Sequence, residues 1–204
     1  MERMTEQVVE WAVASRSLDT EESGDAYLVS PLPGVTMLCV VDGLGHGPAA
    51  GLAARRAVEL LSAGDVETPL TVLQRCHEGL RSTRGVVLAA AWVDGSRGLL
   101  TWLVVGNVHA VLVRARRVAG TRPRLLLGVA GVLGRQFPPV REHQEAIEPG
   151  DLLVFATDGI RPEFADDLRA GHAPGRLAPA ILAGHWTGGD DALVLAARYR
   201  GGPE

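Results

Sequence analysis

The sequence predicts an α+β fold in which helices pack on a core of antiparallel β-strands. Short apolar runs of strand length recur along the chain, and glycines at positions 95, 98, 106 and 150 separate several of them. Consecutive short strands joined by tight turns favour antiparallel pairing, whereas a parallel sheet needs strands and helices to alternate. The chain has 204 residues, 47% of them apolar, and can bury the core of one domain without disulfide bonds. We expect that domain to span residues 1–200, with a disordered tail at 201–204.

Three strands and two helices are predicted in the first part of the chain. The strands are expected to form one antiparallel set and cover residues 8–14, 25–29 and 35–41. A helix begins at Pro48, because apolar residues recur at helical spacing from there to Leu61. Thr68 and Pro69 open a second helix, whose apolar positions continue to Leu80.

Strand-like runs dominate the chain after residue 85. They cover residues 86–93, 99–105, 109–113, 124–127 and 152–156. Two short helices are predicted over residues 162–169 and 177–182, and a last strand over residues 191–199. Strands, two helices, many strands, further helices and a final strand give the α+β class.

Charge and composition exclude several classes of protein. The net charge is −4 and the isoelectric point is about 5.9, so no basic stripe is present that could bind nucleic acid. The first residues include Glu2, Glu6 and Glu10 rather than a basic start followed by an apolar run, which argues against a secretory signal. No apolar run approaches the length of a membrane span. We expect a soluble, cytoplasmic protein in which Cys39 and Cys76 are buried free thiols.

Aspartates stand where three predicted strands meet glycines. They form the pairs Asp42–Gly43, Asp158–Gly159 and Asp190–Asp191. Several carboxylates that converge on one cleft repel each other unless a cation lies between them. Oxygen ligands of this kind select Mg²⁺ or Mn²⁺ over zinc. The alternative interpretation of each Asp-Gly pair is a simple turn. Because adjacent strand residues point to opposite faces, only one of Asp190 and Asp191 is expected to be a direct ligand.

The segment at residues 40–50, V-V-D-G-L-G-H-G-P-A-A, resembles the D-G-x-G-H-G-x-x-A signature of the SpoIIE-like branch of the metal-dependent (PPM-type) serine/threonine phosphatases. Further blocks follow the order expected of that family: S-G-D at 23–25, R-G at 84–85, V-G-N-V at 105–108, A-T-D-G-I at 156–160 and G-D-D-A-L-V-L at 189–195. The resemblance extends from about Glu10 to Tyr199. It implies a four-layer sandwich of two antiparallel β-sheets flanked by helices.

The resemblance also implies the residues of an active site. Asp42 would bridge two divalent metal ions, Mn²⁺ or Mg²⁺, and the Gly43 carbonyl would bind one of them. Asp158 and Asp190 would hold the other ion, and Asp25 would reach a metal directly or through water. On this basis Asp42, Asp158 and Asp190 are the expected catalytic residues. Two such ions can activate a shared water molecule for attack on a phosphoserine or phosphothreonine ester.

No sensor module is visible in the sequence, and the chain therefore looks most similar to the small stand-alone, RsbX-like members. That likeness implies a phosphorylated STAS-domain anti-sigma antagonist or a stressosome protein as partner, no contact with nucleic acid or membrane, and a monomer or weak dimer. Residues 19–23 lack the phosphate-binding arginine of better-known members, and Arg16 is the nearest candidate. Residues 160–186 are expected to form an adaptable docking surface for a folded substrate.

Two other functions fit parts of the sequence. A catalytically silent PPM-fold protein could bind its partner without turning it over. A dinucleotide-binding loop would match Gly45, Gly47 and Ala50, with Asp65 as the acidic residue, but nothing strand-like precedes Asp65. Within the phosphatase interpretation, His46 is either a general acid or a residue that caps or packs against the glycine turn, and Asn107 is expected to satisfy a tight turn between strands.

Overall fold

The computed structural model describes residues 8–18, 22–63, 68–116 and 122–202. These residues form two five-stranded sheets in which every named pair of strands is antiparallel. Sheet I contains, in spatial order, β1 (Val9–Arg16), β10 (Ala192–Tyr199), β9 (Leu152–Ala156), β6 (His109–Val113) and β7 (Arg124–Leu125). Sheet II contains β2 (Asp25–Leu32), β3 (Val35–Gly43), β4 (Val86–Asp94), β5 (Leu99–Val105) and β8 (His143–Ala146).

Helices cover the outer face of each sheet. On sheet II lie α1 (Pro48–Ser62) and α2 (Pro69–Gly79), and on sheet I lie a 3₁₀ helix (Pro162–Asp167) and α3 (Pro174–His185). The Thr68 hydroxyl caps α2 by accepting from the Thr71 N–H at 3.2 Å. The order helices, sheet, sheet, helices confirms the predicted α+β four-layer sandwich.

Strand β3 shows how the apolar runs of the sequence build three cores. Leu38 and Val40 point between the two sheets, whereas Met37, Cys39 and Val41 point toward α1 and α2. Alternate residues of a strand face opposite sides, so a strand covered on both faces is apolar throughout. A third core joins sheet I to α3 and the 3₁₀ helix. Both cysteines are buried and free, as predicted.

The predicted pairing of the first three strands is wrong for β1. This strand lies in sheet I, where it pairs with β10 from Val9 opposite Tyr199 to Arg16 opposite Ala192. Only β2 and β3 form the expected antiparallel pair. Strand β10 is buried along almost its whole length and needs a neighbour on each side, and β1 supplies the second one.

Two edge strands also differ from the sequence prediction. Strand β8 was not predicted, because His143–Ala146 is polar and largely exposed and contains no apolar run. Strand β7 covers two residues rather than four. Gly64, which follows the end of the first predicted helix, and Asp65 lie outside the described residues. Positions 203–204 of the predicted tail also lie outside them, and the predicted boundary between domain and tail at residue 200 stays a prediction. No helix in the described ranges is long and apolar enough to cross a membrane.

Candidate functional site

The predicted ligands come together at one end of the sandwich, with two aspartates from each sheet. In sheet II, Asp25 at the start of β2 lies directly opposite Asp42 near the end of β3. In sheet I, Asp158 follows β9 and Asp190 precedes β10, and these strands pair antiparallel up to Ala156 opposite Val194. Antiparallel pairing places the end of one strand beside the start of its neighbour, which brings Asp158 and Asp190 together.

The glycines after two of these aspartates are required by space rather than by turn geometry. A Cβ on Gly43 would lie 2.2 Å from the Ala50 carbonyl oxygen in α1, and a Cβ on Gly159 would lie 1.9 Å from the Asp191 carbonyl oxygen. Neither glycine has a positive φ. Left-handed backbone occurs instead at Gly45 and Gly47, with φ of 83° and 76°, between β3 and α1. The simple-turn interpretation is wrong for Asp42–Gly43, which lies within β3, whereas Asp158 and Gly159 do form a turn that the Ile160 N–H closes by donating to the Thr157 carbonyl at 3.0 Å.

Burial and the charges of neighbouring carboxylates make ionisation of Asp25, Asp42 and Asp158 unfavourable. Burial is the largest cause that raises the pKa of Asp42 to about 8, and the charges of Asp25, Asp158, Asp190 and Asp191 raise it further. The pKa of Asp25 rises to about 7, mainly through burial, although a hydrogen bond from a neighbouring hydroxyl opposes the rise. Burial, and then Asp190, also raise the pKa of Asp158. A cation between these groups would relieve the repulsion.

Two neighbouring side chains fix the orientation of the carboxylates. Asn107 donates from Nδ2 to Asp158 Oδ2 at 2.7 Å. Thr157, fully buried after β9, donates from its hydroxyl to Asp25 Oδ2 at 2.8 Å. From the sequence alone, Asn107 is expected only to satisfy a turn, and no pattern distinguishes Thr157. Both residues do lie inside the family-like blocks at 105–108 and 156–160, and that position was the available signal.

The two adjacent aspartates before β10 have different surroundings. Asp191 is 7% exposed, and its carboxylate accepts from the backbone N–H groups of Leu18 at 2.8 Å and Gly24 at 2.6 Å. Asp190 is exposed, and its Oδ1 accepts from the Asp191 N–H. Asp191 therefore serves the structure of the chain before β2, which leaves Asp190 as the candidate ligand of the pair.

Two further residues named from the sequence lie beside this cleft. The Arg16 guanidinium stacks 4.0 Å from the centre of the Trp186 ring, whose Nε1 donates to the Asp190 carbonyl at 2.9 Å. His46 is exposed, and its side chain makes no hydrogen bond to another residue in the described ranges. It therefore does not cap the glycine turn.

The chemistry of the donor set fits divalent cations. Asp25, Asp42, Asp158, Asp190 and the Gly43 carbonyl offer only oxygen, the donor that Mg²⁺ and Mn²⁺ prefer. Within the described ranges, however, no three His, Cys, Asp or Glu side chains already form a finished ligand set. One oxygen each of Asp25, Asp158 and Asp190 is engaged by a hydrogen bond within the chain. The remaining oxygens would have to hold the ions.

Comparison with known proteins identifies the family. The model of "Stage II sporulation protein E (SpoIIE)" matches residues 33–200 of the chain. The chain belongs to the SpoIIE family. A chain solved in the study "The bacterial stressosome: a modular system that has been adapted to control secondary messenger signaling" is 30% identical, with a TM-score of 0.83, and the match covers 94% of this chain and 100% of that one. No curated protein sequence matches the chain.

Other solved structures share the fold at lower identity. RsbX in complex with magnesium is 18% identical, with a TM-score of 0.82 and a match that covers 97% of each chain. The PP2C phosphatase domain of SpoIIE from Bacillus subtilis, solved with a fragment of its regulatory domain, is 19% identical, with a TM-score of 0.75 over 96% of this chain and 64% of that chain. The SpoIIE-family chain described here therefore has the fold of the PPM, or PP2C-type, phosphatases.

Proposed function

We propose that this SpoIIE-family chain is a metal-dependent protein serine/threonine phosphatase. The observation that carries the proposal is the convergence of Asp25 and Asp42 from sheet II with Asp158 and Asp190 from sheet I. The raised pKa values of Asp25, Asp42 and Asp158 show that this arrangement of carboxylates is costly for the fold, and a site for divalent cations would explain why it is present. Divalent cations held by these oxygen donors would also balance the negative charge of a phosphate ester.

In this proposal the residues of the chain have distinct tasks. Asp42 would bind both ions, the Gly43 carbonyl would bind one of them, Asp158 and Asp190 would hold the other, and Asp25 would reach an ion directly or through water. Two bound divalent cations would supply activation of a water molecule and neutralisation of phosphate charge. Thr157 and Asn107 keep carboxylate oxygens in place. His46, exposed on the loop after β3, is suited to give a proton to the leaving serine oxygen.

The proposed substrate is a phosphorylated STAS-domain anti-sigma antagonist or a stressosome protein. Support comes from the 30% identical chain of the stressosome study and from the RsbU and RsbW domains of Rv1364c from Mycobacterium tuberculosis, which share the fold at 23% identity and a TM-score of 0.78. The chain carries a net charge of −4 and no basic stripe, which agrees with a protein substrate rather than nucleic acid.

Residues 160–186 are the proposed docking surface for that substrate. This segment leaves the cleft at Asp158 and returns to it at Asp190, so a protein bound there lies next to the carboxylates. It is packed rather than adaptable, since Phe164 and Leu168 are 1% exposed. Between the 3₁₀ helix and α3 lies a groove of about 480 Å³, lined mainly by apolar side chains and bordered by His172 and Arg176.

Turnover of p-nitrophenyl phosphate with and without Mn²⁺ or Mg²⁺ tests the proposed activity. We expect turnover that requires an added cation and disappears in excess chelator. The variant Asp42→Asn should be inactive, whereas Asp166→Asn, an exposed aspartate on the 3₁₀ helix, should match the wild type. Turnover that survives chelation would refute the two-cation proposal. No turnover with any cation, together with retained partner binding, would favour the catalytically silent protein instead.

A further inference from the structure

The hydroxyl of Thr157 connects the two sheets inside the protein. Thr157 directly follows β9 of sheet I and is fully buried. Its Oγ1 lies 2.8 Å from Asp25 Oδ2 in sheet II and 2.9 Å from the backbone nitrogen of Leu193 in β10. Thr157 therefore joins the end of β9, which it follows in the chain, to β10 and β2 through its side chain.

The direction of both hydrogen bonds is fixed by chemistry. A backbone N–H can only donate, so the Thr157 oxygen accepts from Leu193. The single hydroxyl hydrogen is then available for Asp25 Oδ2, which must accept it. A hydroxyl oriented in this way orients the carboxylate as well, and a hydrogen bond to a carboxylate is stronger than one between neutral groups.

Among the described residues, only Thr157 makes a hydrogen bond to the Asp25 carboxylate. Its strand, β2, is an edge strand of sheet II, and Asp25 is the first residue of that strand. The backbone just before it is held by Asp191, which accepts from the Gly24 N–H, and by the Gly24 carbonyl, which accepts from the Gly43 N–H. Thr157 is the residue that fixes the carboxylate itself and leaves Oδ1 for other partners.

We propose that Thr157 is a positioning residue that presents Asp25 Oδ1 to a divalent cation by holding Oδ2 from the opposite sheet. This inference rests on the proposed cation-dependent function. It predicts that the hydroxyl, rather than the volume of the side chain, determines how tightly the protein binds Mn²⁺.

The test compares variants that separate hydroxyl from volume. Thr157→Val keeps the shape and removes the hydroxyl, and Thr157→Ser keeps the hydroxyl and removes a methyl group. Thr36→Val is the matched control, because Thr36 is also a buried threonine but lies in β3 near the end of that strand far from Asp42. Binding of Mn²⁺ is measured by titration calorimetry on each purified full-length chain, with circular dichroism to establish that the chain is folded.

We expect Thr157→Val to bind Mn²⁺ at least tenfold more weakly than the wild type, since a charge-assisted hydrogen bond is lost. Thr157→Ser and Thr36→Val should stay within about threefold of the wild type. If Thr157→Val does not fold, Thr157→Ala serves for the same comparison. Wild-type affinity in a folded Thr157→Val or Thr157→Ala chain would overturn the inference while leaving the proposed function intact, and so would a Thr157→Ser chain as weak as either. A wild-type chain that binds no Mn²⁺ would instead overturn the proposed function and the inference together.

Discussion

Replacing Asp42 by asparagine should stabilise the cation-free protein although it removes a proposed ligand. The pKa of Asp42 is raised from 3.8 to about 8, mainly by burial and then by the surrounding carboxylates. A carboxyl group with a raised pKa binds its proton more tightly in the folded state. Its contribution to stability is therefore fully present below pH 3.8 and is lost as the pH rises toward 8.

The size of the effect follows from the same shift. At pH 7 the folded state keeps this group mainly protonated whereas the unfolded chain releases the proton, and this difference costs the folded state about 4 kcal/mol at most, since each pKa unit corresponds to about 1.4 kcal/mol. The amide of asparagine remains polar and must find partners in the same place, so we expect a net gain of about 1–2 kcal/mol. For a chain of this length that gain corresponds to an increase in melting temperature of about 2–8 °C.

Thermal unfolding in chelator, followed by circular dichroism at pH 5 and pH 7.5, measures this gain. The difference between Asp42→Asn and the wild type should be larger at pH 7.5, because the cost of keeping the folded carboxyl protonated grows as the pH rises from 3.8 toward 8. Added Mn²⁺ should raise the melting temperature of the wild type and leave the variant unchanged. A variant that melts well below the wild type and still turns over substrate would show that Asp42 stabilises the fold and is not a ligand.

Three further outcomes are expected. Gly159→Ala should unfold the protein or greatly reduce its melting temperature, because the new Cβ would lie 1.9 Å from the Asp191 carbonyl oxygen. Gly175→Ala is the control and should be neutral or stabilising, because its new Cβ meets no atom within 4 Å. Equal melting temperatures for the two variants would contradict the packing around Gly159. Asn107→Ala should move the acid limb of the pH–rate profile to higher pH, because the hydrogen bond from Asn107 lowers the pKa of Asp158 and its loss would raise that pKa. An unmoved limb would mean that the contact has no role in turnover. An intact phosphorylated STAS-domain protein should be turned over with higher kcat/KM than its excised phosphopeptide, and equal values would argue against docking on residues 160–186.

The sequence predicted the parts of the site that depend on neighbouring residues. Asp42, Gly43 and the loop to α1 are contiguous, and a strand, a glycine-rich loop and a helix are visible in the order of the residues. The burial of β3 on both faces was likewise visible in its unbroken apolar run. The sequence pattern and the three-dimensional structure agree for features that depend on a single strand, loop or helix.

Contacts between distant elements could not be predicted in the same way. The partner of β1 is set by the need of β10 for a second neighbour, and no local pattern in β1 expresses that need. The role of Thr157 depends on which strand of the opposite sheet faces it. Asp190 and Asp191 are identical in type and adjacent, and only the position of the Leu18 and Gly24 N–H groups distinguishes them.

The placement of β1 beside β10 has a consequence for how the chain folds during its synthesis. All five strands of sheet II precede residue 147, so that sheet can form while the ribosome is still adding residues. Sheet I cannot, because β1 is made first and its partner β10 is made last. The nascent chain must keep β1 unpaired until β10 has been made, and an unpaired strand is open to aggregation during that time. Asp25 and Asp42 already face each other once sheet II forms, whereas Asp190 joins the other carboxylates only when β10 closes sheet I, so the repulsion among all four arises at the last step.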